Sequence, residues 1–70
     1  MDRDPVQSSN VISVGYDEAT QTLEVEFRNG GIYQYYNVPA QLAAQFLEAP
    51  SKGQFIHAYI RNAFPFSRVG

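Results

Sequence analysis

The chain contains no cysteine and no tryptophan, one methionine and one histidine. Without cysteine there is no disulfide framework, no thiolate nucleophile and no Cys-based zinc site. His57 stands alone, with no Ser/His/Asp spacing around it, so no nucleophile–base set is expected and the chain reads as noncatalytic. Glu24 and Glu26 share a strand face and imitate paired carboxylates, but on a sheet face expected to be solvated they read as solubility or edge protection, and Asp17 and Glu18 in a loop are too few ligands for a hard cation. Neither a metal nor a cofactor is expected. No hydrophobic run approaches the ~18–20 residues that span a bilayer, and the opening MDRDPVQSSN is too polar for a signal peptide. The expected setting is therefore cytoplasmic, away from the membrane. Charged residues make up only 17% of the chain and net charge is −2, which argues against a strongly basic, sequence-indifferent polyanion binder.

What is present is a modest apolar fraction, 44% of 70 residues, enough for one thin core. A chain this short buries only about 60% of the surface it exposes when unfolded. Small scaffolds often supplement such a core by oligomerising, and Ile32, Tyr36 and the aromatic tail around Phe64 and Phe66 are apolar enough to do so. A homo-oligomer is therefore expected. The net charge also hides a division. Residues 1–48 hold all seven acids with only Arg3 and Arg28, a net of −5, whereas residues 49–70 hold Lys52, Arg61 and Arg68 with no acid, a net of +3.

Residues 1–9 lack periodicity and contain Pro5 and a Ser pair, so they read as a flexible lead-in to a single domain over 10–70. Alternation of Ile12, Val14 and Tyr16 against Val11, Ser13 and Gly15 predicts a first strand. Leu23, Val25 and Phe27 alternate with Glu24, Glu26 and Arg28 in a second, and Asn29-Gly30-Gly31 is a hairpin signal leading into a third, Ile32 to Tyr36. Uniting the apolar residues on one face favours a three-residue loop through Gly31, with Gly31 left-handed, Phe27 opposite Tyr33 and Val25 opposite Tyr35. That register puts Tyr33 and Tyr35 in the core rather than on an exposed stacking surface. Val38-Pro39 starts a helix with Leu42, Ala43, Phe46 and Leu47 as its apolar stripe, and Pro50 ends it. Ser51 to Gln54 fits a capping box for a second helix that buries Ile56, Ile60 and Ala63 and stops before Pro65. The expected fold is α+β, a three-stranded antiparallel β-meander followed by two helices packed on one face (β-β-β-α-α). Its core is expected to hold Tyr16, Leu23, Val25, Phe27, Tyr33, Tyr35, Phe46, Ile56 and Ile60.

In order, Tyr16-Asp17, Leu23-Glu24-Val25-Glu26-Phe27, Gly30, Tyr33-Gln34-Tyr35, Val38-Pro39, Ser51-Lys52-Gly53, Ile60-Arg61 and Pro65 resemble the KTSC domain. That small module is named for its place at the C-terminus of some lysyl-tRNA synthetases, and it also occurs alone in short bacterial and phage-type proteins. The likeness covers residues 9–69 and departs at two positions, with His57 where the pattern has Asn and Phe64 where it has Tyr. It implies a small α+β fold, and RNA binding is the activity usually supposed for the family.

The residues alone single out one basic stretch. Ser51, Lys52 and Gly53 open the second helix, where free N–H groups and the dipole favour an anion and glycine permits close approach. Gly53, His57 and Arg61 recur every four residues and share a helix face about 12 Å long. Ser51, Lys52, Gly53, His57 and Arg61 are thus the candidate ligand-binding residues of a noncatalytic module for RNA or a small nucleotide. Each also has a plainer role: Ser51 as a cap, Gly53 in packing, His57 as a surface histidine and Arg61 as a partner of the helix dipole. The competing reading is a protein-interaction or self-association module, which apolar surface on the first helix or the Phe64–Phe66 tail would favour.

Overall fold

Strand pairing extends beyond the meander at both ends of the chain. The computed structural model describes residues 1–70. It shows one antiparallel sheet in the order β1 (Asp4–Pro5), β2 (Val11–Asp17), β3 (Thr22–Phe27), β4 (Ile32–Tyr35) and β5 (Phe66–Arg68). Between β4 and β5 lie α1 (Ala40–Glu48) and α2 (Lys52–Phe55), the latter widening into a π-helical turn over Ile56–Ile60. The expected three-stranded β-β-β-α-α order is therefore corrected to β-β-β-β-α-α-β. A three-stranded sheet leaves two rows of unpaired backbone groups, and here each end of the chain folds back along one of them. Within the supposedly flexible lead-in, Asp4 pairs with Val14 and Pro5 with Ser13. An edge strand tolerates Pro5 because its missing N–H costs no ladder bond on the outer side.

Gly15 explains how the N-terminal segment lies so close to β2. A Cβ at this position would stand 2.2 Å from the Asp2 carbonyl oxygen, a backbone atom that cannot swing aside. Gly15→Ala is expected to lift residues 1–6 off the sheet and cost about 1–2 kcal/mol, the usual scale of overpacking. Urea unfolding measures this, and in a chain lacking residues 1–9 the same substitution should be nearly neutral.

The β3–β4 hairpin keeps the expected faces with a different register. Leu23 pairs with Tyr35 and Val25 with Tyr33, two residues removed from the expected alignment. A shift of two preserves parity, so both tyrosines stay on the face of Leu23, Val25 and Phe27. The loop is Arg28-Asn29-Gly30, closed by Phe27 N–H to Gly31 carbonyl (2.8 Å), and the left-handed residue is Gly30 (φ 107°), not Gly31. β2 is also less regular than simple alternation suggests. A bulge between Val11 and Ser13 inserts Ile12, so that Val11 and Val14 both enter the core, opposite Phe27 and Val25.

The core lies between the sheet and the helices and comprises Val11, Val14, Leu23, Val25, Tyr35, Val38, Ala43, Phe46, Ile56 and Ile60, with Tyr16, Phe27 and Tyr33 packed partly buried against it. The Tyr16 hydroxyl donates to the Val38 carbonyl (2.6 Å) and fixes the β4–α1 connection. α1 buries Ala43 and Phe46 but leaves Leu47, expected in its stripe, exposed. Ala49 is extended before Pro50, as the ring of Pro50 requires. The π turn closes with Arg61 N–H to Ile56 carbonyl (2.8 Å) and keeps Ile56 and Ile60 both inward. Regular structure then ends, so Ala63, expected in the buried stripe, is exposed as the chain turns towards β5. No helix is long and apolar enough to cross a membrane.

The far face of the sheet, expected to be open to solvent, carries a polar network. Arg3 bonds Ser13 Oγ (2.9 Å) and Glu24, Ser13 bonds Glu26 (2.9 Å), Gln34 bonds Glu24 (2.8 Å), and Tyr36 joins Gln34 (3.1 Å) to Ser67 (2.5 Å). Glu24 is only 4% exposed beneath this network.

Candidate functional site

On the helix side of the sheet, an open cleft of about 500 Å³ separates the α2–π segment from β4 and β5. Its helical wall is Gly53, Ile56, His57 and Arg61. Here 3.6-residue periodicity and the π turn cooperate: burying Ile56 and Ile60 turns Gly53, His57 and Arg61 to the rim between helix and sheet. Its sheet wall is Phe27, Gly31, Tyr33, Tyr35, Phe66 and Arg68, and Asn10 and Asn29 stand at one end.

The sheet wall follows from strand register. Because Tyr35 pairs with Phe66 and Tyr33 with Arg68, all four side chains fall on the same face. Phe27 meets Tyr33 edge-on (centroids 5.7 Å, 79°), Tyr33 meets Phe66 at 5.9 Å and Tyr35 meets Phe66 at 5.7 Å. Tyr33 and Tyr35 therefore belong both to the core and to the floor of the cleft. Tyr16 and Tyr36 spend their hydroxyls on protein partners, whereas the hydroxyl of Tyr35 has none and is not sealed from the cleft. Burial pushes the Tyr35 phenol up, a like-charge effect from Tyr33 adds to this, and the nearby Arg61 guanidinium opposes both.

Of the five expected ligand residues, three come together here and two do not. Gly53, His57 and Arg61 line the cleft. The absent Cβ of Gly53 makes room for the Asn10 side chain, whose Nδ2 would lie 3.0 Å from that carbon. Ser51 instead caps α2, accepting from Gln54 N–H (3.4 Å), and lines a shallow depression elsewhere with Pro50, Phe55 and Tyr59. Lys52 turns back to the Ala49 carbonyl (2.6 Å), using its ammonium to stabilise the end of α1. Five lining residues lie outside both the expected site and the expected core: Asn10, Asn29, Gly31, Phe66 and Arg68. For the last two a signal existed, since Phe66-Ser67-Arg68-Val69 alternates like a strand.

The lining carries Arg61, Arg68 and His57 and not one of the seven acids. Chemically, it offers aromatic faces, the phenol hydroxyls of Tyr33 and Tyr35, side-chain amides and guanidinium donors. This set suits a planar ring joined to an anion.

Comparison with known proteins agrees with the architecture. A family model for the KTSC domain matches residues 7–64. A lysine–tRNA ligase of Nostoc sp. is 36% identical over 63 residues, which cover 90% of this chain and 11% of the ligase. The chain thus spans about a tenth of that enzyme's length. A protein of Tsukamurella paurometabola is 38% identical over 60 residues, covering 86% of this chain and 90% of that one. The crystal structure of a KTSC domain protein from Yersinia pestis superposes with a TM-score of 0.94 at 40% identity, over 99% of this chain and 97% of that one. A five-stranded sheet, two short helices and a family match across most of the chain lead to one assignment: the protein belongs to the KTSC domain family.

Proposed function

We propose that the protein is a noncatalytic binding module for a phosphate-bearing ligand, RNA or a small nucleotide, seated in the cleft between the π turn and β4–β5. The observation that carries this reading is the selective lining: two arginines, a histidine and four tyrosine or phenylalanine rings gather in a cleft free of carboxylates, on a protein of net charge −2. Bases stack on aromatic faces and on guanidinium planes, and guanidinium groups hold phosphate oxygens through short, charge-assisted bonds. The likeness to a segment of ligases named for tRNA lends support. Ser51 and Lys52 leave the ligand set, and Arg68, Asn10 and Phe66 enter it.

Arg61 is exposed and has no ion-pair partner, so its removal separates binding from folding. Arg61→Ala is expected to weaken binding of a single-stranded oligouridylate by about 10-fold or more, the scale of one charge-assisted bond, with an unchanged melting temperature. Isothermal titration of parent and variant checks this. Equal affinities would overturn the role of the cleft. Exposed Leu47 and Tyr59 favour the alternative, a protein-interaction module, and failure of the parent to bind either RNA or nucleotides would leave that alternative standing.

A further inference from the structure

The occupancy of every cation narrows the ligand class. Arg3 is committed to Glu24 and Glu26 on the opposite face of the sheet. Arg28 donates to the carbonyls of Ser8 (3.2 Å) and Ser9 (3.1 Å), and Lys52 to that of Ala49 (2.6 Å). Arg68 lines the cleft but is held by the carbonyls of Gly30 (3.1 Å) and Gly70 (2.8 Å), leaving only part of its donor fork for a ligand. Arg61 is the one arginine or lysine with no partner within the protein, and it lines the cleft beside His57. A surface that follows a nucleic-acid backbone needs a free cation for successive phosphates, and beyond the cleft this protein has none.

Two features of the cleft itself point the same way. The rings of Tyr33, Tyr35 and Phe66 are tilted by 38–49° to their neighbours, so they form one nest rather than a row of parallel platforms for consecutive bases. Tyr35, 4% exposed, also presents a hydroxyl without a protein partner at the same place. That hydroxyl opens into the cleft, so a ligand group can bond it without displacing a protein partner.

We infer that the cleft accepts a single nucleotide unit, one base against the Tyr33–Phe66 rings and one phosphate on Arg61, rather than the interior of an RNA strand. This rests on the phosphate-ligand reading of the same cleft. Its size fits, since clefts of about 300–1,000 Å³ hold single small ligands.

The test is a length series titrated calorimetrically into the intact protein: uridine and adenosine 5′-monophosphates, then 5′-phosphorylated oligouridylates and oligoadenylates of two, four and eight residues. Affinity should be present for a mononucleotide and level off by the dinucleotide, apart from the statistical gain of extra registers on longer strands. Each phosphate contact on a single strand contributes a slope of about −0.7 in log K against log salt, so raising salt from about 50 to 200 mM should cost about threefold. Affinity that climbs steadily to the eight-mer, with a salt loss of about a hundredfold or more, would overturn the single-unit inference and keep the wider phosphate reading. No binding by any member would overturn both. Binding that survives Arg61→Ala unchanged would also overturn the inference, because the phosphate would then lie elsewhere.

Discussion

Tyr35→Ala is expected to remove about half of the domain's stability. The side chain is 4% exposed on β4, opposite Leu23 on β3 and Phe66 on β5, so truncation opens the seam where the meander meets the returning strand. Removing a buried aromatic costs about 3–5 kcal/mol, and a chain of this length holds about 4–10 kcal/mol in total. At about 4–8 °C per kcal/mol for a small domain, the thermal midpoint should fall by at least about 12 °C. Tyr35→Phe supplies the contrast. It keeps the ring and its contacts with Phe66 and removes only a hydroxyl that no protein group uses, so its midpoint should stay within a few degrees of the parent while nucleotide affinity falls. Circular dichroism melts of the three proteins decide the matter. An alanine variant as stable as the parent would mean that Tyr35 is a surface ligand residue and not part of the core.

The contrast between these two substitutions reflects what could be read from the sequence. Alternation in Leu23–Phe27 and Tyr33–Tyr35 was strong enough to place both tyrosines on the core face, and parity protected that conclusion when the register moved by two residues. Both ends of α1 and the start of α2 were equally legible, because Pro39, Pro50 and the Ser51 cap act through local sterics and hydrogen bonding, but the helical segment stops at Ile60, short of the end expected before Pro65. The outer strands were less legible. β1 is two residues long, too short for periodicity to register, β5 shows only the brief alternation of Phe66 to Val69, and both exist because β2 and β4 offer open edges. One mark of β1 was nonetheless present in Gly15, since a glycine inside a strand often signals close backbone approach. The bulge at Ile12 left no such mark, and it moved Val11 into the core.

The candidate site was half legible for the same reason. Helical spacing brought Gly53, His57 and Arg61 to one face, which depends only on local geometry. Arg68 and Phe66 reach that face only because β5 pairs with β4, a contact between residues more than thirty positions apart. The fate of Lys52 was hidden in another way. Sequence shows a cation at a helix start, but the carbonyl it satisfies belongs to the end of the preceding helix, and only the tight α1–α2 corner brings the two together.

The largest pH effect on folding is expected from Glu24. Burial raises its carboxyl pKa, but the bond from Gln34, the bond from Arg3 and the Arg3 charge together outweigh burial, and the net shift is downward. A carboxylate held below its ordinary range stabilises the fold above the unfolded value of about 4.3, and that contribution disappears as pH falls through the folded value. The parent should therefore be at full strength at neutral pH and lose this stabilisation in acid. Glu24→Gln keeps the shape and part of the hydrogen bonding to Gln34 and Arg3 while removing the charge. Only the N-terminal segment covers Glu24, and the Arg3 side chain is itself 24% exposed, so water screens the pair. The expected deficit is about 1–3 kcal/mol at pH 7, the scale of a hydrogen-bonded charge, rather than that of a deeply buried pair. Arg3→Ala should produce a similar loss, and the double variant should lose less than the two single losses combined, because both act through one network. Urea unfolding at intervals between about pH 3 and 7 gives the difference between parent and Glu24→Gln directly, with the other carboxylates common to both. That difference should shrink as pH drops below the ordinary glutamate range. A gap of constant size across the series would show that Glu24 stabilises the fold through shape alone and that its charge contributes nothing.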